Sequence, residues 1–442
     1  MKVSKFFKED YSAAALYQSF RTIGSVADGL KNGARKCVYT FDKFNVNNDI
    51  KVSQMMAKVS ETTQWLHGEG SLGGAIIGLA QDYIGSNNIN LLSPEGNFGS
   101  RFIPDAAAVR YIYTKKSDYF DKIFNALDKP VLNQQEFEGD KIEYKHYIPI
   151  LPMLLVNGAE GIGNGFAQKI LPRNPEVLKE EILNYLNKKN YIIKNINPYF
   201  KGFNGTVEKI EDSWLIRGTF ERVNNTTIKI TEVPITYSLK QYLKILDSLI
   251  EKKVIRNYKD KSEDDNFTFN ILVSREFMSN DDDWIMDKLK LSKRVSENFT
   301  AISEKNAILE FNNEREILKY YIDLRLKFYK LRKDYMIKDL KEQIDFINSK
   351  VLFIQSILNE DLIINNQTKK AIIEQIEYFE KIIMIDSSYD YLLKMPLYSL
   401  TKEKINDLNE LLKSKTLELK ELRTMSIDDM WKKDLKGVSI ES

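Results

Sequence analysis

The chain reads as an α+β, multidomain protein, and three observations carry that prediction. At 442 residues it is too long for one hydrophobic core. Residues 140–300 show strand-type alternation broken by glycine and asparagine turns. From about residue 313 apolar residues recur every three and four positions, a spacing that a long helix with a partner satisfies.

Each element follows in order. Residues 11–125 read as mostly helical with one hairpin. Ser71 is placed to cap a helix over Leu72–Tyr83, with Ala75, Leu79 and Tyr83 on one face. Asn88-Ile-Asn-Leu-Leu92 followed by Ser93-Pro-Glu-Gly-Asn97 reads as strand and turn. Further on, Thr206–Ile210, Trp214–Phe220 and Thr227–Val233 read as strands, and Tyr237–Lys253 and Trp284–Leu291 as helices. Asn257–Asn266 and Ser279–Asp283 read as polar, charged loops. Asp281-Asp-Asp283 is better explained as an acidic helix start than as a metal site.

The C-terminal third carries the clearest periodicity. Ile337, Leu340, Ile344, Ile347, Val351, Ile354 and Leu358 form an unbroken heptad seam. Ile405, Leu408, Leu412, Leu419 and Leu422 form a second, interrupted at Lys415. Asn359–Lys404 lies between them and is long enough for a small globule, so a long antiparallel coiled coil with a globular tip is expected. Trp431 is expected to pack the end down.

Composition narrows the function. Cys37 is the single cysteine, which rules out an internal disulfide and a thiolate zinc site and fits a reducing, intracellular setting. His67 and His146 are the two histidines, too few for a histidine-rich metal site. There is neither an uninterrupted apolar run of membrane length nor a secretory h-region near Met1. Net charge is only +2, yet basic residues cluster. Residues 21–43 carry Arg21, Lys31, Arg35, Lys36 and Lys43 against Asp28 and Asp42. Residues 101–116 carry Arg101, Arg110, Lys115 and Lys116 against Asp105. A DNA-binding protein needs a basic face, not a basic total.

The stretch Gly96-Asn-Phe-Gly-Ser-Arg-Phe-Ile-Pro-Asp-Ala-Ala-Ala-Val-Arg-Tyr111 ends with a guanidinium beside a phenol. A tyrosine oxygen can attack a DNA phosphodiester and hold the strand end as an ester, and an arginine suits the charge that gathers in the transition state. With 23 tyrosines in the chain, the dipeptide alone would decide nothing. Its context does. Asn97-Phe-Gly-Ser100 and Ala106–Tyr111 resemble the active-site segment of type IIA DNA topoisomerases, in their breakage–reunion subunit. Arg21-Thr-Ile-Gly-Ser-Val-Ala-Asp28-Gly-Leu-Lys31-Asn-Gly-Ala-Arg35-Lys36 is similar to that family's first DNA-binding motif. His67-Gly-Glu-Gly-Ser71 and Ala75–Asn88 resemble the eukaryotic and viral branch. Pro149–Gly165 is similar to the segment carrying a DNA-bending isoleucine, and Met395–Glu403 and Asp429–Leu435 match as well. The resemblance is collinear from about residue 15 to 437.

That resemblance implies a division into a winged-helix (CAP-like) DNA cleavage domain over 1–130, an α/β tower domain over 131–305, and a coiled coil over 306–442 with a dimerising globule at about 359–404. It implies Tyr111 as nucleophile, with Tyr113 as rival, and Arg110 and His67 at the scissile phosphate. It implies Arg21, Lys31, Arg35, Lys36, Ser100 and Arg101 as DNA contacts. Ile162 becomes an intercalating wedge, flanked by glycines that let the backbone approach a duplex. The chain departs from the family pattern at Leu66, where relatives carry a histidine, and at Gly24 and Asn32, where they carry prolines.

No P-loop and no Glu…Asp-x-Asp metal constellation occurs in the sequence. The resemblance therefore places the ATP site and the Mg²⁺ ligands on a separate large subunit, as in the medium subunit of T-even-type phage topoisomerases acting in the host cytoplasm. It implies a homodimer that acts on double-stranded DNA. Without a DNA-wrapping C-terminal domain, relaxation, decatenation and unknotting are expected instead of negative supercoiling. The competing reading is a non-enzymatic winged-helix DNA-binding or architectural protein that dimerises through its coiled coil.

Overall fold

The computed structural model describes residues 3–68, 70–188 and 190–438. The chain divides into two compact units, residues 1–325 with 432–442, and residues 326–431.

In the first unit the chain starts helical: a turn at Val3–Phe6, a π-helical stretch Phe7–Tyr11, then α1 (Ser12–Thr22). Ile23 leaves α1 in extended geometry, and Lys31 caps α2 (Asn32–Lys43) from an extended backbone position. The inward face of α2 carries Cys37, Val38 and Phe41, all fully buried. A two-residue strand β1 (Ile50–Lys51) runs into α3 (Val52–Thr63), which buries Val52, Met55 and Val59. Gln64, in left-handed geometry, closes α3 and turns the chain into the His67 loop.

The next helix, α4, spans Gly70–Ala80, so Ser71 lies within it and does not cap it from outside. Its hydroxyl donates to Gly68 O at 2.8 Å. The helix also stops three residues short of the expected Tyr83. Strand β2 (Leu92–Glu95) pairs with β3 (Tyr113–Lys116), which pairs in turn with β1, giving an antiparallel sheet in the order β1-β3-β2. Ile50 faces Thr114 and Glu95 faces Tyr113 across it.

Two hairpins follow, β4 (Gln134–Phe137) with β5 (Asp140–Tyr144), and β6 (Ala159–Ile162) with β7 (Ala167–Ile170). Asn174 caps α5 (Pro175–Asn187) through its side chain. The expected β-rich region contains two antiparallel sheets. One has β8 (Thr206–Ile210), β9 (Ser213–Arg217) and β14 (Ser292–Ser296) in the order β14-β9-β8. The other has β10 (Thr219–Asn224), β11 (Thr227–Glu232), β12 (Asn257–Asp260) and β13 (Phe269–Leu272) in the order β10-β11-β13-β12.

The second sheet packs α6 (Leu239–Glu251), and a Ser238–Gln241 capping box starts that helix. Their shared core holds Ile228, Ile230, Tyr242, Leu246, Phe267, Phe269 and Ile271. Strand β12 corrects the reading of Asn257–Asn266 as loop over its first four residues, while 261–266 form the expected loop. β12 is an edge strand whose charged residues face water, a composition that conceals a strand and also protects a sheet edge. Asp281 caps a short helix by accepting from Trp284 N, as the acidic helix-start reading requires. A last hairpin, β15 (Thr300–Ile302) with β16 (Ile308–Glu310), precedes the 45-residue helix α7 (Glu314–Leu358).

In the second unit, α7 packs against α9 (Lys402–Thr424). Ile347, Val351 and Ile354 meet Leu408, Ile405 and Leu412, while Lys333 Nζ donates to Arg423 O and Met425 O. Later residues of α7 thus face earlier residues of α9, and the two run antiparallel. Between them, α8 (Lys369–Glu377) helps build a small core of Phe353, Leu362, Ile376, Ile382, Tyr389 and Leu392. Trp431 is fully buried and stacks on Tyr329 at 5.7 Å.

Candidate active site

Tyr111 emerges from a loop held by its own backbone. Gly96 and Gly99 have positive φ, and a Cβ on Gly99 would collide with Pro104 O. Gln81 Nε2 donates to Phe98 O at 2.9 Å and to Pro104 O at 3.3 Å, and Ala107 N donates to Asn97 O at 2.9 Å. Ser100 Oγ accepts from Phe102 N and Ile103 N, so this predicted DNA contact serves the loop's own turn.

A turn from Ala108 O to Tyr111 N then delivers the tyrosine. Its neighbours are anchored: Val109 O accepts from Ser53 N, Ile112 O accepts from Val52 N, and Ile112 is buried. Between those anchors the Tyr111 side chain stands 65% exposed. The Arg110 guanidinium lies 4.8 Å above the phenol ring centroid. Tyr113, two residues on and inside β3, is less exposed and lies under the Lys51 ammonium.

His67 belongs to a second cluster. Its Nε2 lies 2.9 Å from Tyr17 Oη on α1, and the Trp65 ring meets it edge-on at 5.1 Å. Burial first, then the charges of Arg21 and Lys36, hold its pKa below the ordinary imidazole value. Arg21 sits one turn after Tyr17, half-buried, and lines a cavity of about 500 Å³ with Lys31, Trp65 and Glu160. Lys31 Nζ donates to Glu160 O at 2.7 Å, and burial lowers its pKa. Among the described residues, no hydrogen bond or ion pair joins this cluster to the Arg110–Tyr111 pair. Val109, the residue before Arg110, lies against Gly73 of α4.

Ile162 stands at the tip of the β6–β7 hairpin, 78% exposed. Gly161 lets this hairpin press onto α1, where a Cβ would collide with Thr22 O. The Gly24 departure also has a local cause. Its N–H donates to Gln168 Oε1 at 2.7 Å, a bond a proline could not make.

Three predicted DNA contacts are buried in ion pairs. Arg35 is buried and forks onto Asp28 at 2.7 and 3.0 Å. Asp28 itself is fully buried and also accepts from Leu30 N and Tyr147 N. Lys36 is buried against Glu143 Oε2 at 2.7 Å and Thr63 O at 2.8 Å. Arg101 is buried between Phe203 and Phe267 and pairs with Glu232 at 2.7 Å. Their charges are engaged inside the protein, where they support the scaffold. Sequence reasoning also missed Tyr17. Its position four residues before Arg21, on the same helix face, was the available signal.

The solved structure of the Plasmodium falciparum topoisomerase II DNA-binding, cleavage and re-ligation domain shares this mixed α/β fold, with a TM-score of 0.88 at 34% identity over 98% of this chain and 63% of that one. Residues 21–436 match the family model for the DNA gyrase/topoisomerase IV A-subunit, and the chain belongs to that family, the breakage–reunion segment of type IIA topoisomerases. It is 32% identical to DNA topoisomerase 2 of Penicillium chrysogenum over 98% of its length and 29% of the relative's. It is 33% identical to DNA topoisomerase 2 of Saccharomyces cerevisiae over 99% of its length and 34% of the relative's. The chain thus spans about a third of the length of these relatives. They are eukaryotic and do not single out a phage medium subunit. No helix among the described residues is long and apolar enough to cross a membrane.

Proposed function

We propose that this chain is the DNA-cleaving part of an ATP-dependent type IIA topoisomerase, with Tyr111 as its nucleophile. The observation that carries the reading is the exposed Tyr111 phenol beneath the Arg110 guanidinium, on a scaffold that matches a topoisomerase II cleavage domain. In the forward step the Tyr111 oxygen bonds to a DNA phosphorus, and the bond from phosphorus to the 3′ oxygen breaks. The phenol proton leaves to solvent or base, and the 3′ oxygen takes up a proton from solvent as it departs as a hydroxyl. The strand end stays as a 5′-phosphotyrosyl ester until that hydroxyl attacks it in reverse. Arg110 and His67 meet the charge on the phosphate oxygens, Arg21 and Lys31 hold flanking phosphates, and Ile162 wedges a base step.

Two copies each cut one strand, and a second duplex passes through the break, giving relaxation, decatenation and unknotting. The copies join through the globule at about 359–404, where Tyr378, Leu397 and Tyr398 are exposed. Residues 1–130 act as a winged-helix module, 131–305 as a tower and 306–442 as a coiled coil. Family membership implies Mg²⁺ and ATP. Among the described residues no group of three His, Cys, Asp or Glu could hold a metal. We assign both the Mg²⁺ ligands and the ATP site to a separate large subunit, the arrangement of T-even-type phage enzymes.

The test is to trap protein–DNA adduct in the presence of Mg²⁺ and the large subunit. Adduct is expected from the wild type and not from Tyr111→Phe. Adduct that persists in the variant would transfer the role to Tyr113 or another group.

A further inference from the structure

We propose that Tyr17 is a positioning residue for His67: its hydroxyl donates to Nε2 and holds the single imidazole proton on Nδ1, from which it can be offered to the scissile phosphate. The inference rests on the role given to His67 above. Geometry comes first. Tyr17 Oη and His67 Nε2 are 2.9 Å apart, with ring centroids at 6.2 Å. Trp65 meets the imidazole edge-on at 5.1 Å, so the ring is gripped by two aromatic neighbours. The residue beside it in sequence, Leu66, is apolar and 71% exposed, and gives the ring no polar partner. Tyr17 supplies that partner from α1 instead.

Charge explains why the partner matters. Burial works first against a second positive charge here, and Arg21, one turn along the same helix, and Lys36 add to it. The imidazole is therefore neutral at physiological pH and carries one N–H only. Which nitrogen holds that proton is set by the bond the other one makes. With Nε2 occupied by Tyr17, only Nδ1 remains for DNA. Were Nε2 the protonated atom, Nδ1 would turn a lone pair toward anionic phosphate oxygens. A tyrosine hydroxyl can give its proton instead, which leaves Nδ1–H as a donor. Two hydroxyl roles are thus open to Tyr17, and only the donor role makes His67 useful to a phosphate.

The experiment exploits the chain's two histidines. In the full chain labelled with ¹⁵N-histidine, the imidazole nitrogens give two sets of signals, and His67→Gln assigns them. In the wild type, His67 Nε2 is expected at the shift of an acceptor nitrogen and Nδ1 at that of a protonated one. In Tyr17→Phe the proton is expected to move to Nε2. Single-turnover cleavage, with Mg²⁺ and the large subunit, is expected to slow about tenfold, the loss of one hydrogen bond of this kind, while the DNA Kd stays within about twofold.

A protonated Nε2 in the wild type would overturn the proposal, as would a tautomer that ignores the Phe substitution. Cleavage at full rate despite a switched tautomer would remove the catalytic relevance. The spectrum needs neither DNA nor partner. A wild type that forms no adduct would refute the proposed function, while the spectrum would still decide the tautomer.

Discussion

Replacing Arg35 with Met tests whether the basic residues of the first motif serve the scaffold or the DNA. The substitution keeps most of the side chain's apolar bulk and removes the guanidinium that forks onto Asp28. Asp28 is 0% exposed, so its carboxylate would be left buried without its charged partner. Removing one partner of a buried ion pair costs about 3–5 kcal/mol. Asp28 would keep its bonds from Leu30 N at 3.0 Å and Tyr147 N at 3.1 Å, which favours the lower end, about 3 kcal/mol. Thermal or urea unfolding of the full chain reads this as a fall of several degrees in Tm.

DNA binding by the folded fraction gives the second reading. Each lost phosphate contact lowers the slope of log affinity against log salt by about 0.9. Arg35→Met is expected to leave that slope unchanged, whereas Arg21→Met and Lys31→Met are each expected to lower it by about 0.9 with little effect on Tm. An Arg35→Met protein of normal stability with a reduced salt slope would refute the reasoning.

Other consequences are as direct. Ile162→Ala is expected to change stability by less than about 0.5 kcal/mol, because the side chain is mostly in water, and yet to reduce DNA bending measured by end-to-end energy transfer; undiminished bending would remove the wedge. Ile354→Ala, which empties a fully buried position facing Leu408, is expected to cost about 2–5 kcal/mol and to lower the urea midpoint of residues 326–431. Burial chiefly lowers the pKa of His146 from 6.5, with Arg35 adding to it and Asp28 opposing. The unfolded chain therefore takes up this proton at higher pH than the native one, so stability from this residue is complete above about pH 6.5 and declines as pH falls through and below it. Urea midpoints between about pH 5 and pH 8 check this, and His146→Gln is expected to flatten the acid side of the curve.

How far the sequence foretold the molecule depended on whether the physics was local. The α7 seam was legible because a helix repeats its buried face every few residues: of its seven residues Leu340, Ile347, Val351 and Ile354 are buried and Ile337 and Ile344 half-buried, while Leu358, in the last turn, is exposed. The Tyr111 loop was legible because tight turns demand glycine at Gly96 and Gly99, whose positive φ values bear that out. Strand β12 was not, because an edge strand hydrogen-bonds on one side only and can carry charges throughout. The helix start at Gly70 was missed because a serine in the first turn can bond backward as Ser71 does, so its presence does not identify the cap.

The basic residues show the same limit in a form that bears on function. A lysine or arginine in a motif declares its charge but not its counterion. Arg35 finds its acid seven residues back at Asp28, Lys36 finds Glu143 on β5, and Arg101 finds Glu232 on β11. Only the fold brings the last two together. Once those three are set aside, the groups that the proposed function assigns to DNA are Arg21 and Lys31 near His67, Arg110 over Tyr111, and the apolar tip at Ile162. That smaller set is chemically sharper. The buried pairs hold α2, β11 and the Tyr111 loop in place, and a rigid frame of this kind is what the proposed roles of the remaining groups require. A motif dense in charge can therefore be mostly architecture, and burial separates the residues that build a cleavage site from those that touch its substrate.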